Sequence, residues 1–311
     1  MEAGDRACPA PGRSGSTHAD HAAPGAIASR RPTSSSTLPT LMVTISRHAL
    51  LADGSRTLVT TGTGYGTALA CHRLGAQLVT SVDVDPYLVQ AAAGRLAAVC
   101  DLTRQPLPGK LDRIISAVSV RPVPAAWLNG LRPGGWLVTT ITGLILIADK
   151  TPDGGTRGHI AYDGASFMST RHGGDYDDPA PQASVWAAAD GTGEDVSTSR
   201  YPLLCVPDSW AVRLMLELAA PGIEHGVQRS DSAGRTVWMG HPDGSWARAD
   251  ADGPRNIADG HQGGPRRLWN LLEEIRDRLN TVGELPVHGA AVTLIFDGET
   301  TLSRGRWSAT L

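Results

Sequence analysis

Thr61-Gly62-Thr63-Gly64-Tyr65-Gly66, followed closely by Thr80-Ser81-Val82-Asp83-Val84-Asp85, is the stretch on which the reading of this chain turns. A short apolar run, Thr57-Leu58-Val59, leads into the glycines, and a helix-like run over 67–74 leads out of them. Glycines at such a junction let backbone approach a ligand closely, because no Cβ stands in the way. A second apolar run over 77–82 ends in Asp83, which follows Gly64 by 19 residues. A parallel-sheet nucleotide fold sets its ribose-binding acid roughly 20 residues on. Strand, turn, helix, strand and acid in that order say more than a tight structural turn would.

The pattern continues on both sides. Upstream, Leu38, Leu41, Met42, Ile45, Ala49 and Leu50 recur at helical spacing, with Pro39 suited to a first turn. Downstream, strands are predicted over 57–60, 78–82, 113–116 and 136–140, and helices over 67–74, 86–97 and 124–131. Helix and strand alternating across glycine-rich turns predict an α/β fold with a doubly wound, mostly parallel sheet. The apolar run over 141–148 is too short to span a bilayer and is expected to be one buried strand. From 149 to 200, Asp153-Gly154-Gly155 and Gly173-Gly174-Asp175 are turn chemistry. A helix over 209–219, short polar strands around Trp238 and Trp246, an amphipathic helix over 265–279 and strands over 288–296 and 300–302 predict a C-terminal α+β extension. Trp238 and Trp246 are expected to pack this region; lining a peptide groove is their other reading. The expected division is a disordered tail over 1–29, a main domain over 30–150 and an accessory or substrate region over 151–311. The tail lacks the apolar content to offset an ordering cost of about 1–2 kcal/mol per residue. Deleting residues 1–28 should therefore leave the melting temperature within a few degrees in a thermal scan.

Composition narrows the function. A formal net charge of −3, with no stripe of Lys or Arg, argues against nucleic-acid binding through phosphate neutralisation. Four widely spaced cysteines without a CxxC pair argue against a zinc site or a disulfide framework, so no metal is expected. The amino terminus has no apolar signal core, and a cytoplasmic protein without membrane contact is expected.

The motifs Gly62-Thr63-Gly64-Tyr65-Gly66, Ser81-Val82-Asp83-Val84-Asp85-Pro86, the acid in Val99-Cys100-Asp101, Leu111-Asp112-Arg113-Ile114-Ile115 and Leu131-Arg132-Pro133-Gly134-Gly135 resemble, in order and spacing, those of class I S-adenosylmethionine-dependent methyltransferases. Within that superfamily they are similar to the protein-L-isoaspartate O-methyltransferase group, whose Ser-Gln-Pro motif falls where this chain has Thr37-Leu38-Pro39. One departure is plain: where family members carry an acid, an aliphatic residue and a further glycine before GTGY, this chain has Val59-Thr60-Thr61.

The resemblance implies a Rossmann-like sheet over 30–150 and S-adenosyl-L-methionine as cofactor. Gly62, Gly64 and Tyr65 would pass its methionine and ribose portions, Asp83 would accept the ribose hydroxyls, and Asp101 would read the adenine amino group. Thr37 would orient an acceptor carboxylate, and Ser116, with Ser119, would face the substrate from the end of the fourth strand. Each has a plainer alternative: Thr37 as a helix N-cap, Asp83 and Asp101 as caps or solvated loop acids, Ser116 as strand-end polarity. Methyl transfer from a sulfonium to a carboxylate asks mainly for alignment and exclusion of water, so no catalytic triad is expected. The implied activity is O-methylation of an aspartate or isoaspartate carboxylate on a peptide or protein, with peptide maturation suggested by the long extension. Repair of isoaspartate in damaged proteins, a catalytically impaired cofactor- or peptide-binding module and a nicotinamide-dependent oxidoreductase are the rival readings.

Overall fold

The structure, a computed structural model, describes residues 37–60, 62–92, 97–99, 101, 104–107, 109–172, 192–229, 235–251, 257–294 and 299–311. The tail expected over 1–29 lies outside them. The first elements are α1 (Pro39–His48), β1 (Thr57–Thr60), α2 (Tyr65–Leu74), β2 (Val79–Asp83), α3 (Pro86–Ala91), β3 (Ala97–Val99), β4 (Leu111–Ser119), α4 (Ala125–Gly130) and β5 (Leu131–Ile141). Strands β1 to β5 lie in the order β3-β2-β1-β4-β5, all parallel, which is the Rossmann-like, doubly wound arrangement. All four residues of β1 are buried, as expected of a strand covered on both faces.

Alternation along the strands splits the core between the two faces. Val59, Val79, Ile115 and Val138 pack with Ile45 of α1 and Ala70 and Leu74 of α2. Their neighbours Leu58, Val82, Ile114 and Leu137 pack on the opposite face with Trp127 and Leu128 of α4 and with the apolar residues of the carboxyl half.

That half contains β6 (Leu144–Lys150), β7 (Thr156–Gly164), β8 (Asp195–Pro202), α5 (Trp210–Ala219), β9 (Glu224–Arg229), β10 (Arg235–Gly240), β11 (Trp246–Ala251), β12 (Ile257–Gly263), α6 (Leu268–Val282), β13 (Ala291–Leu294), β14 (Thr300–Arg304) and β15 (Trp307–Thr310). Two expectations are corrected here. The apolar run over 141–148 is not one strand: Thr142 and Gly143, at φ 48° and 91°, form a two-residue turn that folds β6 back antiparallel onto β5. Such a loop with both φ values positive matches the right-handed twist of the strands it joins. The break expected near 150 is also absent. Strands β6, β7, β13, β14 and β15 extend the same sheet to ten strands, so residues on both sides of 150 share one sheet.

The second sheet is antiparallel, in the order β8-β12-β11-β10-β9. Trp269 of α6 seals it to the main core: its ring lies where a Cβ on Gly260 would come within 2.2 Å. At the other end of the core, buried Lys150 donates to the Leu128 and Leu131 carbonyls at 2.8 and 3.2 Å, satisfying acceptors at the end of α4. Helix α3 ends at Ala91, sooner than the pattern predicts, and Ala97–Val99 already pairs with β2. No helix among the described residues is long and apolar enough to cross a membrane.

Candidate functional site

The strand order reverses between β1 and β4, and ligands of open α/β sheets bind outside the carboxyl ends of the strands at such a point. The glycine turn lies there. Gly62 and Gly64 have φ of +47° and +81°, and Gly64 opens α2 in the left-handed region that favours glycine. Nothing lies within 4 Å of a Cβ built on Gly62, so the space above the turn is open. Helix α1 closes the turn from one side, with the Met42 methyl 2.6 Å from where a Gly66 Cβ would stand. Thr67, one residue on, shares a 2.7 Å hydrogen bond with Ser81 and so locks α2 to β2.

Asp83 stands at the end of β2, beside this turn. The Gly62 N–H donates to its Oδ2 at 2.9 Å, and the Asp85 N–H donates to its Oδ1 at 3.0 Å. Burial pushes the Asp83 carboxyl above its usual range, against the lowering effect of these backbone donors and of the Arg171 guanidinium. Asp85 is the N-cap of α3, accepting from the Tyr87 N–H at 2.9 Å. The cap of this helix is therefore Asp85, which frees Asp83 from that alternative role.

The remaining expected site residues fall in different places. Tyr65 is the first residue of α2 and is exposed. Asp101 lies past β3, half-buried, with its Oδ2 3.0 Å from His172 Nδ1 and 3.9 Å from Arg104 Nε. Thr37 precedes α1, but the N-cap is Leu38 and no side chain caps the helix, so the capping role read for Thr37 does not hold. Ser116 is fully buried, and its Oγ has no hydrogen-bond partner. Strand alternation puts it on the face of Ile114, away from α2, so the structure does not bring it together with Asp83. The Asp112 and Leu131–Gly135 motifs lie at the opposite end of the sheet. Asp112 accepts from the Arg56 N–H at 2.8 Å and pairs with Arg132, a structural rather than a ligand-facing position.

One segment at the site has no counterpart in the sequence reading. After β7, residues 165–172 run back to the parallel strands. Ser119 N–H donates to the Met168 carbonyl at 2.8 Å and Thr170 N–H to the Ser119 carbonyl at 3.0 Å, a parallel bridge at the end of β4. The segment then delivers Arg171 to Asp85 and His172 to Asp101. The partners are 86 and 71 residues apart in sequence, so local patterning could not find them.

No protein-family model matches the chain, and no curated protein matches it. Among solved structures, a protein-L-isoaspartate O-methyltransferase is similar with 15% identity and a TM-score of 0.46, over 87% of this chain and 82% of that one. An S-adenosylmethionine-dependent methyltransferase from Thiobacillus denitrificans, in complex with S-adenosyl-L-homocysteine, is similar with 17% identity and a TM-score of 0.27, over 32% of this chain and 47% of that one. The [4+2]-cyclase SpnF is similar with 20% identity and a TM-score of 0.27, over 32% of this chain and 43% of that one. Likeness at this level leaves function to be argued from the residues of the site.

Proposed function

We propose that this chain binds S-adenosyl-L-methionine at the carboxyl edge of β1, β2 and β3 and methylates an aspartate or isoaspartate carboxylate on a peptide or protein. The observation that carries the reading is the bond from Gly62 N–H to Asp83, which joins the open glycine turn to an acid of the right type. The residues fit the cofactor: positive-φ glycines under open space, and a partly buried carboxylate whose backbone donors fix its orientation. Asp83 would accept the ribose hydroxyls, Gly62, Gly64 and Tyr65 would border the ribose and methionine portions, and Asp101 would accept the adenine amino group. The bound sulfonium would supply an already activated methyl group.

This chain's own work is then alignment and exclusion of water. Helix α1 covers the glycine turn through Met42, so Thr37, five residues earlier, is the hydroxyl we assign to the acceptor carboxylate. Ser116, fully buried on the face away from α2, is left out of this assignment. Thr37→Val keeps the shape and removes the hydroxyl. Because Thr37 makes no cap, single-turnover methyl transfer should slow about tenfold or more, the scale of one lost hydrogen bond to a charged group, while thermal stability and cofactor affinity stay unchanged. Normal transfer by this variant would remove Thr37 from the site.

A second reading, a cofactor- or peptide-binding module without catalysis, draws on the contact between His172 and Asp101, which already engages one of the proposed cofactor acids. Mass spectrometry of candidate aspartate- and isoaspartate-containing peptides, after incubation with methyl-labelled cofactor, separates the two. A labelled methyl ester supports the transferase. Tight cofactor binding with no label on any peptide supports the binding module.

A further inference from the structure

We infer that Arg171 is a positioning residue of this cofactor site, holding the Asp83–Asp85 carboxylate pair charged and in place from outside the parallel sheet. The inference rests on the proposed cofactor reading and adds to it a residue from the segment that follows β7.

Two carboxylates two residues apart at a strand end repel, and burial penalises both charges. Asp85 is 5% exposed, and its side chain meets the Arg171 guanidinium at 3.2 Å, with the two side chains 7% and 6% exposed. Asp85 in turn gives its backbone N–H to Asp83, so whatever fixes Asp85 also fixes Asp83. Without Arg171 the pair would lose the guanidinium that offsets its two charges. A guanidinium removed from water is costly unless its charge is matched, so its presence here is not incidental packing.

The segment is anchored independently of this ion pair. Its bridge to Ser119 fixes the backbone two residues before Arg171. The placement therefore belongs to the sheet, and the side chain is aimed at the acids. Among the described residues, the other charged groups around this strand end are Asp101, His172 and Arg104, which engage one another. Arg171 is the cation that acts on Asp83 itself.

Burial raises the Asp83 pKa, while its two backbone donors and Arg171 lower it; losing the guanidinium leaves burial and the neighbouring Asp85 charge opposed by the backbone donors alone. A neutral Asp83 donates one hydrogen and loses its charge, so it grips ribose hydroxyls less well. Affinity for an adenosyl ligand should then fail at higher pH in the variant than in the parent protein.

The test is calorimetric titration with S-adenosylhomocysteine from pH 5 to 8, on the full chain and on Arg171→Gln and Arg171→Lys, with thermal stability measured alongside. Arg171→Met, which keeps an apolar stem, replaces the Gln variant if that one fails to fold. The expected result is that the pH at which affinity falls moves up by about one unit or more in the Gln variant, the usual scale for loss of an adjacent opposite charge. Relative to the parent, the Gln variant should lose most affinity at the acidic end of the range and least at pH 8, and Lys should restore the parent profile. A uniform loss of affinity at every pH would make Arg171 a structural strut, and an unchanged profile would remove it from the site; either overturns the inference. Carboxyl carbon-13 NMR of Asp83 without ligand reads the same titration independently. If the parent protein binds no S-adenosylhomocysteine at any pH, the cofactor reading fails, whereas binding abolished by Asp83→Ala but indifferent to Arg171 sinks this inference alone.

Discussion

Asp83→Ala should weaken binding of S-adenosylhomocysteine by at least tenfold. The carboxylate would accept two ribose hydroxyls, and hydrogen bonds to a charged group are each worth roughly 1.5–3 kcal/mol. The same carboxylate also accepts from the Gly62 and Asp85 N–H groups, at 2.9 and 3.0 Å. Replacing it with a methyl group leaves those donors without that acceptor, so a modest stability loss of about 1–3 kcal/mol should accompany the binding loss. Asp83→Asn separates the two effects. It keeps the size and drops the charge, and its one carbonyl oxygen can still accept from one of the two backbone N–H groups, so the stability loss should be smaller than in the alanine variant while affinity still falls. Calorimetry and a melting curve on both variants read the outcome. Unchanged affinity in a folded Asp83→Asn protein would sink the assignment of this acid to the ribose.

Trp269→Ala should be the most damaging single change to the fold. The side chain is 1% exposed and sits against the Gly260 backbone, where no side chain could replace it without collision. It belongs to the apolar cluster that joins α6 and the second sheet to the main sheet. Truncating a buried tryptophan costs about 3–5 kcal/mol through lost contacts and the cavity left behind. For a chain of this size that corresponds to a drop of roughly 10 °C in melting temperature. Trp269→Phe, which fills most of the space, should cost markedly less. A loss under about 1 kcal/mol for the alanine variant would mean that the two sheets are not joined through this residue.

The parallel half of the fold was legible because its signals are local. β1 runs over Thr57–Thr60 as its apolar run predicts, and α2 begins at Tyr65, directly after the glycines that the pattern needs. The Asp83 position was legible for the same reason, as spacing along one βαβ unit fixes it. The sheet extension was not. Ile141 and Leu144 belong to one apolar run by composition, and only the positive φ at Thr142 and Gly143 turns it into a hairpin. Once β6 folds back, later strands add to the same edge, so the boundary expected at 150 disappears. Arg171 and His172 were hidden because their partners are distant in sequence. Ser116 shows the converse: its strand was predicted, but side-chain alternation turned it into the core.

The open glycine turn and Asp83 are proposed to form an adenosyl-sulfonium site rather than a nicotinamide site or a structural turn. Titrating the purified full chain with S-adenosylhomocysteine and, in parallel, with NADH tests this most directly. A saturable, one-to-one heat with S-adenosylhomocysteine and none with NADH is the predicted result. Saturable binding of NADH, or no heat with S-adenosylhomocysteine at concentrations up to the millimolar range, would contradict it.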